Sequence, residues 1–233
     1  MKLSDLRGIQ NKSTATIISI ENPFDDYYTI ALETEPGFSW EAGKHGILTL
    51  PEKKIEGKKF RGFSFASIPS EGKLILGTRT GKAKSSYKAA LLSMNAGEKV
   101  QLRGPMGGFV IQDQTSPIVL IASGVGITPY RALLKALEHD ISRPIELVYA
   151  SRQYYLFGDE IQIIADANSK IKIHKTHDTA ETKAKIESLV KKYSNTAYYY
   201  ISGAPSMIQS TKKDIKAQGV RAKRIISDEF LGY

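Results

Sequence analysis

Cysteine is absent from the 233 residues. Without a thiol, the sequence can hold no disulfide, no zinc–thiolate site and no cysteine-ligated iron–sulfur cluster. Redox chemistry here must run through a bound organic cofactor or a metal held by other ligands. Long apolar runs are also missing: none approaches the roughly 18 residues that span a bilayer. The opening residues MKLSDLRGIQNKS lack the apolar centre of a secretory signal, so no membrane insertion is expected and the cytoplasm is the expected compartment. Histidine is scarce. His45, His139, His174 and His177 read as scattered surface or loop residues, and the last two lack the four-residue spacing of a helical metal pair. No metal site is expected.

Positive charge is what the sequence has in excess, 33 Lys+Arg against 24 Asp+Glu, a net +9. Residues 1–112 carry 16 basic and 11 acidic side chains and the remainder 17 and 13, so both parts share the excess. Nucleic-acid binding calls for a clustered patch with interleaved aromatics, and none is visible. The densest group, Lys53, Lys54, Lys58, Lys59 and Arg61, reads first as a solvated loop. It is also a surface that would attract an acidic protein. Hydrophobic and charged fractions of 41% and 24% belong to a globular chain, long enough for one large domain or two small ones.

The first part alternates short β-rich segments with turns. STATIISIEN, DYYTIALET, HGILTLPEK, GFSFASIPS, KLILGTRT and EKVQLRGP are punctuated by Asn22-Pro23, Pro36-Gly37, Gly43, Pro51, Pro69 and Gly97. One helix, near Ser85–Met94, puts Tyr87, Leu91 and Met94 on one face. Six close strands and a helix predict an antiparallel Greek-key β-barrel over residues 1–112. From residue 113 the rhythm changes. SPIVLIAS is an unbroken apolar run, the mark of a strand buried on both faces. It is followed by helix-periodic and strand-like segments in turn, ending with AKRIIS. That alternation predicts a five-stranded parallel doubly wound domain over residues 113–233.

Three motifs carry candidate chemistry. Gly124-Val125-Gly126-Ile127-Thr128-Pro129 follows the apolar strand and opens a helix, with glycines for a tight turn, Thr128 as a cap and Pro129 suited to the first helical turn. A helix N-terminus there offers N–H groups to a pyrophosphate. The third glycine of the usual fingerprint is Pro129, and alone the turn fits a plain strand–helix connection equally well. Arg61-Gly62-Phe63-Ser64 offers a guanidinium for phosphate, an aromatic two residues on and a hydroxyl facing the other way; alone it reads better as an edge arginine beside core aromatics. Gly203-Ala204-Pro205-Ser206-Met207 again ends a strand and starts a helix, and alone favours a simple helix start.

In order, Arg61-x-Phe63-Ser64, Ser85, Gly104-Pro105-Met106-Gly107-Gly108-Phe109, the Gly124 turn, Gly203-Ala204-Pro205-x-Met207 and the ending Asp228-Glu229-Phe230-Leu231-Gly232-Tyr233 resemble the ferredoxin–NADP reductase superfamily from about Ser13 to the C-terminus. The resemblance implies roles. Arg61 would contact flavin phosphate, Phe63 would stack on the isoalloxazine and Ser64 would hydrogen-bond near its N5. Gly77, Thr78 and Arg79 would follow the ring and ribityl chain, and Ser85 and Ser86 at the helix start would hold phosphate. Gly124, Gly126, Thr128 and Pro129 would bind the pyrophosphate of NAD(P)H. Gly203, Pro205 and Met207 would guide the nicotinamide. Asp228 and Phe230 would serve the hydride step, with Phe230 or Tyr233 covering the flavin face.

Two departures stand out: Ser202 fills a slot where the family often has cysteine, and Asp228 replaces the usual glutamate. FAD is expected in preference to FMN. Ser151 and Arg152 follow strand IELVYAS where the adenosine ribose would lie, and the arginine favours NADPH over NADH. The implied activity is that of a flavoprotein oxidoreductase passing a hydride from NADPH to FAD, with electrons leaving to an acidic carrier such as ferredoxin or flavodoxin. A small-molecule acceptor, as in an NAD(P)H:flavin reductase, or an oxygenase reductase component would use the same half-reaction. A non-catalytic nucleotide-sensing subunit is the alternative from another class.

Overall fold

The computed structural model describes residues 8, 10–81 and 84–228, in two compact units that divide between Val110 and Ile111. In the first, β1 (Lys12–Phe24), β2 (Tyr27–Thr34), β3 (His45–Thr49), β4 (Phe60–Ser64), β5 (Leu74–Arg79) and β6 (Lys99–Met106) form one antiparallel sheet in the order β4-β3-β6-β1-β2-β5. Just past β4, the Ala66 amide donates to the Ile75 carbonyl of β5 at 2.7 Å, so the two edge strands meet and the sheet closes on itself. Closure removes exposed sheet edges. With β6 between β3 and β1, the order is that of a Greek-key barrel.

Alternation builds its interior. Ala15 and Ile17, Ile30 and Leu32, Leu74 and Leu76, Val100 and Leu102 point inward two residues apart and pack with Trp40, Phe65, Tyr87 and Leu91. The helix α1 (Ser86–Leu92) packs Tyr87 and Leu91 into this core. The Ser85 hydroxyl caps it by accepting from the Lys88 amide at 3.3 Å, and buried Tyr87 donates to the Leu48 carbonyl at 3.0 Å. Asp25 and Asp26 form the turn between β1 and β2, with Asp25 at φ 42°.

The second unit alternates β7 (Ile118–Ser123), α2 (Thr128–Ala136), β8 (Ile145–Ala150), α3 (Gly158–Ala167), β9 (Ile171–Thr176), α4 (Thr179–Tyr193), β10 (Tyr198–Ser202), α5 (Pro205–Ala217) and β11 (Ile225–Ser227). The strands are parallel, in the order β11-β10-β7-β8-β9. The chain winds outward from β7 to β9 and then returns to β10 on the other side of β7. The topological switch point therefore lies between β7 and β10, the place where open α/β sheets bind ligands. Tyr199 and Tyr200 are fully buried in the sheet.

One strand residue departs from expectation. His174 is no loose surface or loop histidine: it sits on β9 with Nε2 2.7 Å from Glu146 Oε2. Glu146, 2% exposed near the amino end of β8, also accepts from Lys192 Nζ at 2.9 Å and from the Tyr193 hydroxyl at 2.8 Å. Burial pushes its carboxyl up, but the three hydrogen bonds from His174, Lys192 and Tyr193 outweigh it and hold the group down at about 2. Among the described residues no helix is long and apolar enough to cross a membrane, and no three His, Cys, Asp or Glu side chains gather to hold a metal.

Candidate functional site

Two of the sequence motifs meet at the switch point. The chain leaves β7 through a 3-10 turn, Gly124–Ile127, with Gly124 at φ 53°. A Cβ on Gly126 would stand 2.3 Å from the Ser202 carbonyl oxygen and 2.7 Å from Gly203 Cα. Glycine is required there by close approach of the β10 backbone rather than by a left-handed conformation. Gly203 is itself at φ 152°, and a Cβ on it would meet Met207 Cε at 2.5 Å and Ser123 Cβ at 3.1 Å. The turns after β7 and β10 thus interlock at the carboxyl edge of the sheet, leaving bare backbone where a side chain would otherwise fill the space. Helix α2 starts beside them, with Pro129 in its first turn.

Thr128 does not cap that helix. Its hydroxyl donates to the Val125 carbonyl at 2.7 Å, because the 3-10 turn preceding α2 leaves this carbonyl as the nearer acceptor. The side chain braces the glycine turn instead. Pro205 opens α5, and Met207 is half-buried against the core with its sulfur accepting from Thr211 Oγ1 at 3.4 Å. Ser202, buried at the end of β10, donates to Asp228 Oδ2 at 3.5 Å, and the Asp228 amide donates to the Ile201 carbonyl at 3.0 Å. The sequence singles out both residues separately and says nothing of their pairing. Burial, then the Asp228 charge, raises the Tyr130 hydroxyl well above its ordinary value. Phe230 and Tyr233 lie outside the described residues.

At the carboxyl end of β8, the buried Ser151 hydroxyl donates to the Tyr154 carbonyl at 2.6 Å. Arg152 is exposed, and its guanidinium makes no hydrogen bond or ion pair among the described residues. Tyr155, which no sequence signal marked, stacks edge-on against Tyr149 at 4.9 Å and against His177 at 5.7 Å, and its hydroxyl donates to the Thr176 carbonyl at 2.9 Å.

In the barrel, a second cluster forms around the end of β5. Arg61 Nη1 donates to the carbonyls of Lys58 and Phe60 at 2.9 and 2.8 Å, and the guanidinium lies 5.2 Å from the Tyr87 ring. An arginine has five N–H donors, so this grip leaves Nε and Nη2 for a ligand. Arg79 stacks on Tyr27 at 4.8 Å and donates through Nε to Asp26 Oδ2 at 3.0 Å; the same oxygen accepts from the Gly81 amide at 2.8 Å. Lys88 reaches the Arg79 carbonyl, and burial followed by the charge of Arg61 lowers its ammonium. The Ser86 hydroxyl accepts from the Glu56 amide at 3.1 Å and, like that of Ser85, keeps its own hydrogen to donate.

Gly77 and Thr78 are held in register against Thr29 and Tyr28 of β2, and Thr78 is buried. Phe63, 5% exposed, belongs to the barrel core. Ser64 is buried at the end of β4 opposite His45 of β3, whose ring packs so closely on Gly107 that a Cβ there would stand 2.6 Å from Nδ1. No sequence signal marks Asp26 or Lys88 as part of this cluster: strand register brings residue 26 to residue 79, and Lys88 reaches the Arg79 carbonyl from α1.

Comparison with known proteins agrees with this arrangement. A family described as the oxidoreductase NAD-binding domain matches residues 120–213. The toluate 1,2-dioxygenase electron transfer component of Pseudomonas putida is 23% identical over 182 residues, covering 73% of this chain and 54% of the relative. Flavohemoprotein A of Dictyostelium discoideum is 26% identical over 224 residues, covering 88% and 56%. Among solved structures, the ferredoxin-NADP+ reductase of Plasmodium falciparum shares the fold with a TM-score of 0.79 at 18% identity, over 94% of this chain and 97% of that one. The fold is that of ferredoxin-NADP+ reductase, and residues 120–213 match the oxidoreductase NAD-binding family. The chain spans about half the length of the two curated relatives named.

Proposed function

We propose that this chain takes a hydride from a reduced nicotinamide dinucleotide onto a bound flavin and passes the electrons to an external acceptor. The observation that carries the reading is the interlocking of the Gly126 and Gly203 turns at the switch point of the parallel sheet. Backbone bared by two glycines beside the start of a helix suits a pyrophosphate, which needs N–H donors and close approach. In the α/β unit, Gly124, Gly126, Thr128 and Pro129 would shape the phosphate turn and Gly203, Pro205 and Met207 the nicotinamide end. Ser151 and Arg152 would take the adenosine ribose. The unpaired guanidinium of Arg152 suits a 2′-phosphate, which supports NADPH over NADH.

The barrel cluster fits a flavin bearing two phosphates. Arg61, Arg79 and Lys88 converge there, and Lys84 Nζ lies 5.8 Å from the Tyr28 ring close by. Several cations in one place match the pyrophosphate of FAD better than the single phosphate of FMN. Ser64 would hydrogen-bond the isoalloxazine with Phe63 as its apolar backing, and Gly77 and Thr78 would run alongside. The flavin, when bound, supplies the two-electron acceptor; the protein aligns and shields it. Asp228, paired with Ser202, would position the nicotinamide end, with Phe230 and Tyr233 proposed to cover the flavin. The exposed Lys54, Lys58 and Lys59 loop supports an acidic carrier of the ferredoxin or flavodoxin type as acceptor. An oxygenase is the second reading, favoured by the dioxygenase electron transfer component among the relatives.

Anaerobic stopped-flow mixing with NADPH and NADH tests the reading. Ser64→Ala should keep its flavin and be reduced about tenfold more slowly, a loss of about 1.4 kcal/mol in the barrier difference. An unchanged rate removes Ser64 from the role, and a wild-type protein that takes up no flavin on reconstitution overturns the proposal. Reduction rates of an acidic carrier that fall with ionic strength would separate carrier reduction from small-molecule reduction.

A further inference from the structure

Arg131 is buried, 7% exposed, in the first turns of α2, the helix that begins at the glycine turn. Its Nε donates to Glu160 Oε2 at 2.9 Å, Nη2 donates to the same oxygen, and its guanidinium carbon lies 5.5 Å from the Phe157 ring. Phe157 is the residue that turns the chain into α3, and it does so at φ 60°, ψ 15°. A bulky residue in the left-handed region is held there only when its surroundings over-determine it. Arg131 and Glu160 are the clamp: one grips the ring and the other sits in the first turn of α3.

The segment ending at Phe157 is the loop that follows β8. Its interior is pinned by the Ser151 hydroxyl on the Tyr154 carbonyl and by the Tyr149 hydroxyl on the Leu156 carbonyl, at 2.6 and 3.2 Å. Its exit is pinned by the Gly158 amide on the Tyr155 carbonyl at 2.8 Å. Burying an arginine costs solvation that an exposed ion pair avoids, and pairs of this kind are weak sources of stability. The partner Glu160 is itself half exposed. A desolvated guanidinium between the helix of the phosphate turn and the loop of Arg152 therefore calls for a reason other than stability.

We propose that Arg131 is a positioning residue, fixing the loop of Ser151 and Arg152 at the distance from the Gly124–Gly126 turn that one dinucleotide must span. The proposal rests on the dinucleotide reading given above. Pyrophosphate and adenosine ribose are parts of one ligand, so an error of about 1 Å between their two subsites is felt by the whole molecule and by neither half alone.

Calorimetric titration with NADP+ and with NAD+, alongside melting curves, tests it in the wild type, Arg131→Met, Arg131→Lys, Glu160→Gln and Arg152→Ala. Arg131→Met should weaken the dinucleotide Kd about tenfold, and in steady state should raise KM while kcat stays within about twofold. Arg131→Lys keeps a cation against Glu160 and the Phe157 ring and should recover most of the affinity, with Glu160→Gln weakening it about threefold. A lowered melting temperature with wild-type Kd would make Arg131 merely structural and overturn the proposal. If Arg152→Ala weakens binding while Arg131→Met does not, the positioning role alone fails; if neither does, the dinucleotide reading fails with it. Should Arg131→Met not fold, a wild-type Kd in Glu160→Gln overturns the role.

Discussion

The two units prepare their candidate phosphate sites by different means. In the barrel, side chains distant in sequence supply positive charge: Arg61 from β4, Arg79 from β5 and Lys88 from α1, held by Tyr87, Tyr27 and Asp26. In the α/β unit the site is made of backbone, cleared by Gly126 and Gly203, with Asp228 hydrogen-bonded to Ser202 beside it. A side-chain site can lose one member and keep its fold. A site made of close backbone approach cannot, because the same atoms hold the sheet edge together.

The sharpest way to break this contrast is Gly126→Ala. The new Cβ would collide with the Ser202 carbonyl, a backbone atom that cannot rotate away. A stability loss of about 4 kcal/mol and a melting temperature lower by about 10 °C are expected, together with loss of NADP+ binding. Thermal melts and calorimetry check it; a variant as stable as the wild type would mean that the turns part easily and that glycine is dispensable there.

Next in size is Glu146, where the α/β unit concentrates charge well away from its glycine turns. Its carboxyl lies at about 2 in the folded chain against an ordinary 4.5. A lowered carboxylate contributes stability above the unfolded value and loses it as pH falls through the folded one. Roughly 3 kcal/mol should therefore be present above pH 4.5 and fade toward pH 2. Glu146→Gln should destabilise the protein near neutrality and flatten that part of the profile, measured by urea unfolding at several pH values. An unchanged slope in the variant would show that other carboxylates govern acid unfolding.

The smallest effect tests the barrel side. Arg61→Ala removes a half-exposed cation and should weaken flavin binding by tenfold to a hundredfold, about 1.4–2.8 kcal/mol, with little change in melting temperature of the flavin-free protein. Equilibrium dialysis with FAD and FMN reads both the loss and the preference between them. Wild-type flavin affinity would remove Arg61 from the site and weaken the case for a side-chain cradle.

Much of this was legible in advance. The unbroken run IVLIAS announces a strand buried on both faces, and the glycine turn after it announces its helix, because both signals are local. The α/β alternation and the inward alternation of the barrel strands are local in the same way. Three features were not legible. Thr128 braces a carbonyl instead of capping, since a 3-10 turn precedes the helix. His174 reads as a lone surface residue until β9 is laid beside β8 and Glu146 comes within 2.7 Å. Ser202 and Asp228 meet only because β11 pairs with β10.

Periodicity and turn chemistry therefore set which segments are strands and helices, where the glycine motifs stand, and that two units follow one another. They act over a few residues, and a few residues suffice to encode them. Which charges meet, which glycine is forced by contact rather than by its own φ, and which arginine is buried against a left-handed phenylalanine were decided by the tertiary structure. Those outcomes depend on strand register and helix packing, which join residues 26 and 79, 126 and 202, or 131 and 157 across stretches of chain that carry no trace of the pairing.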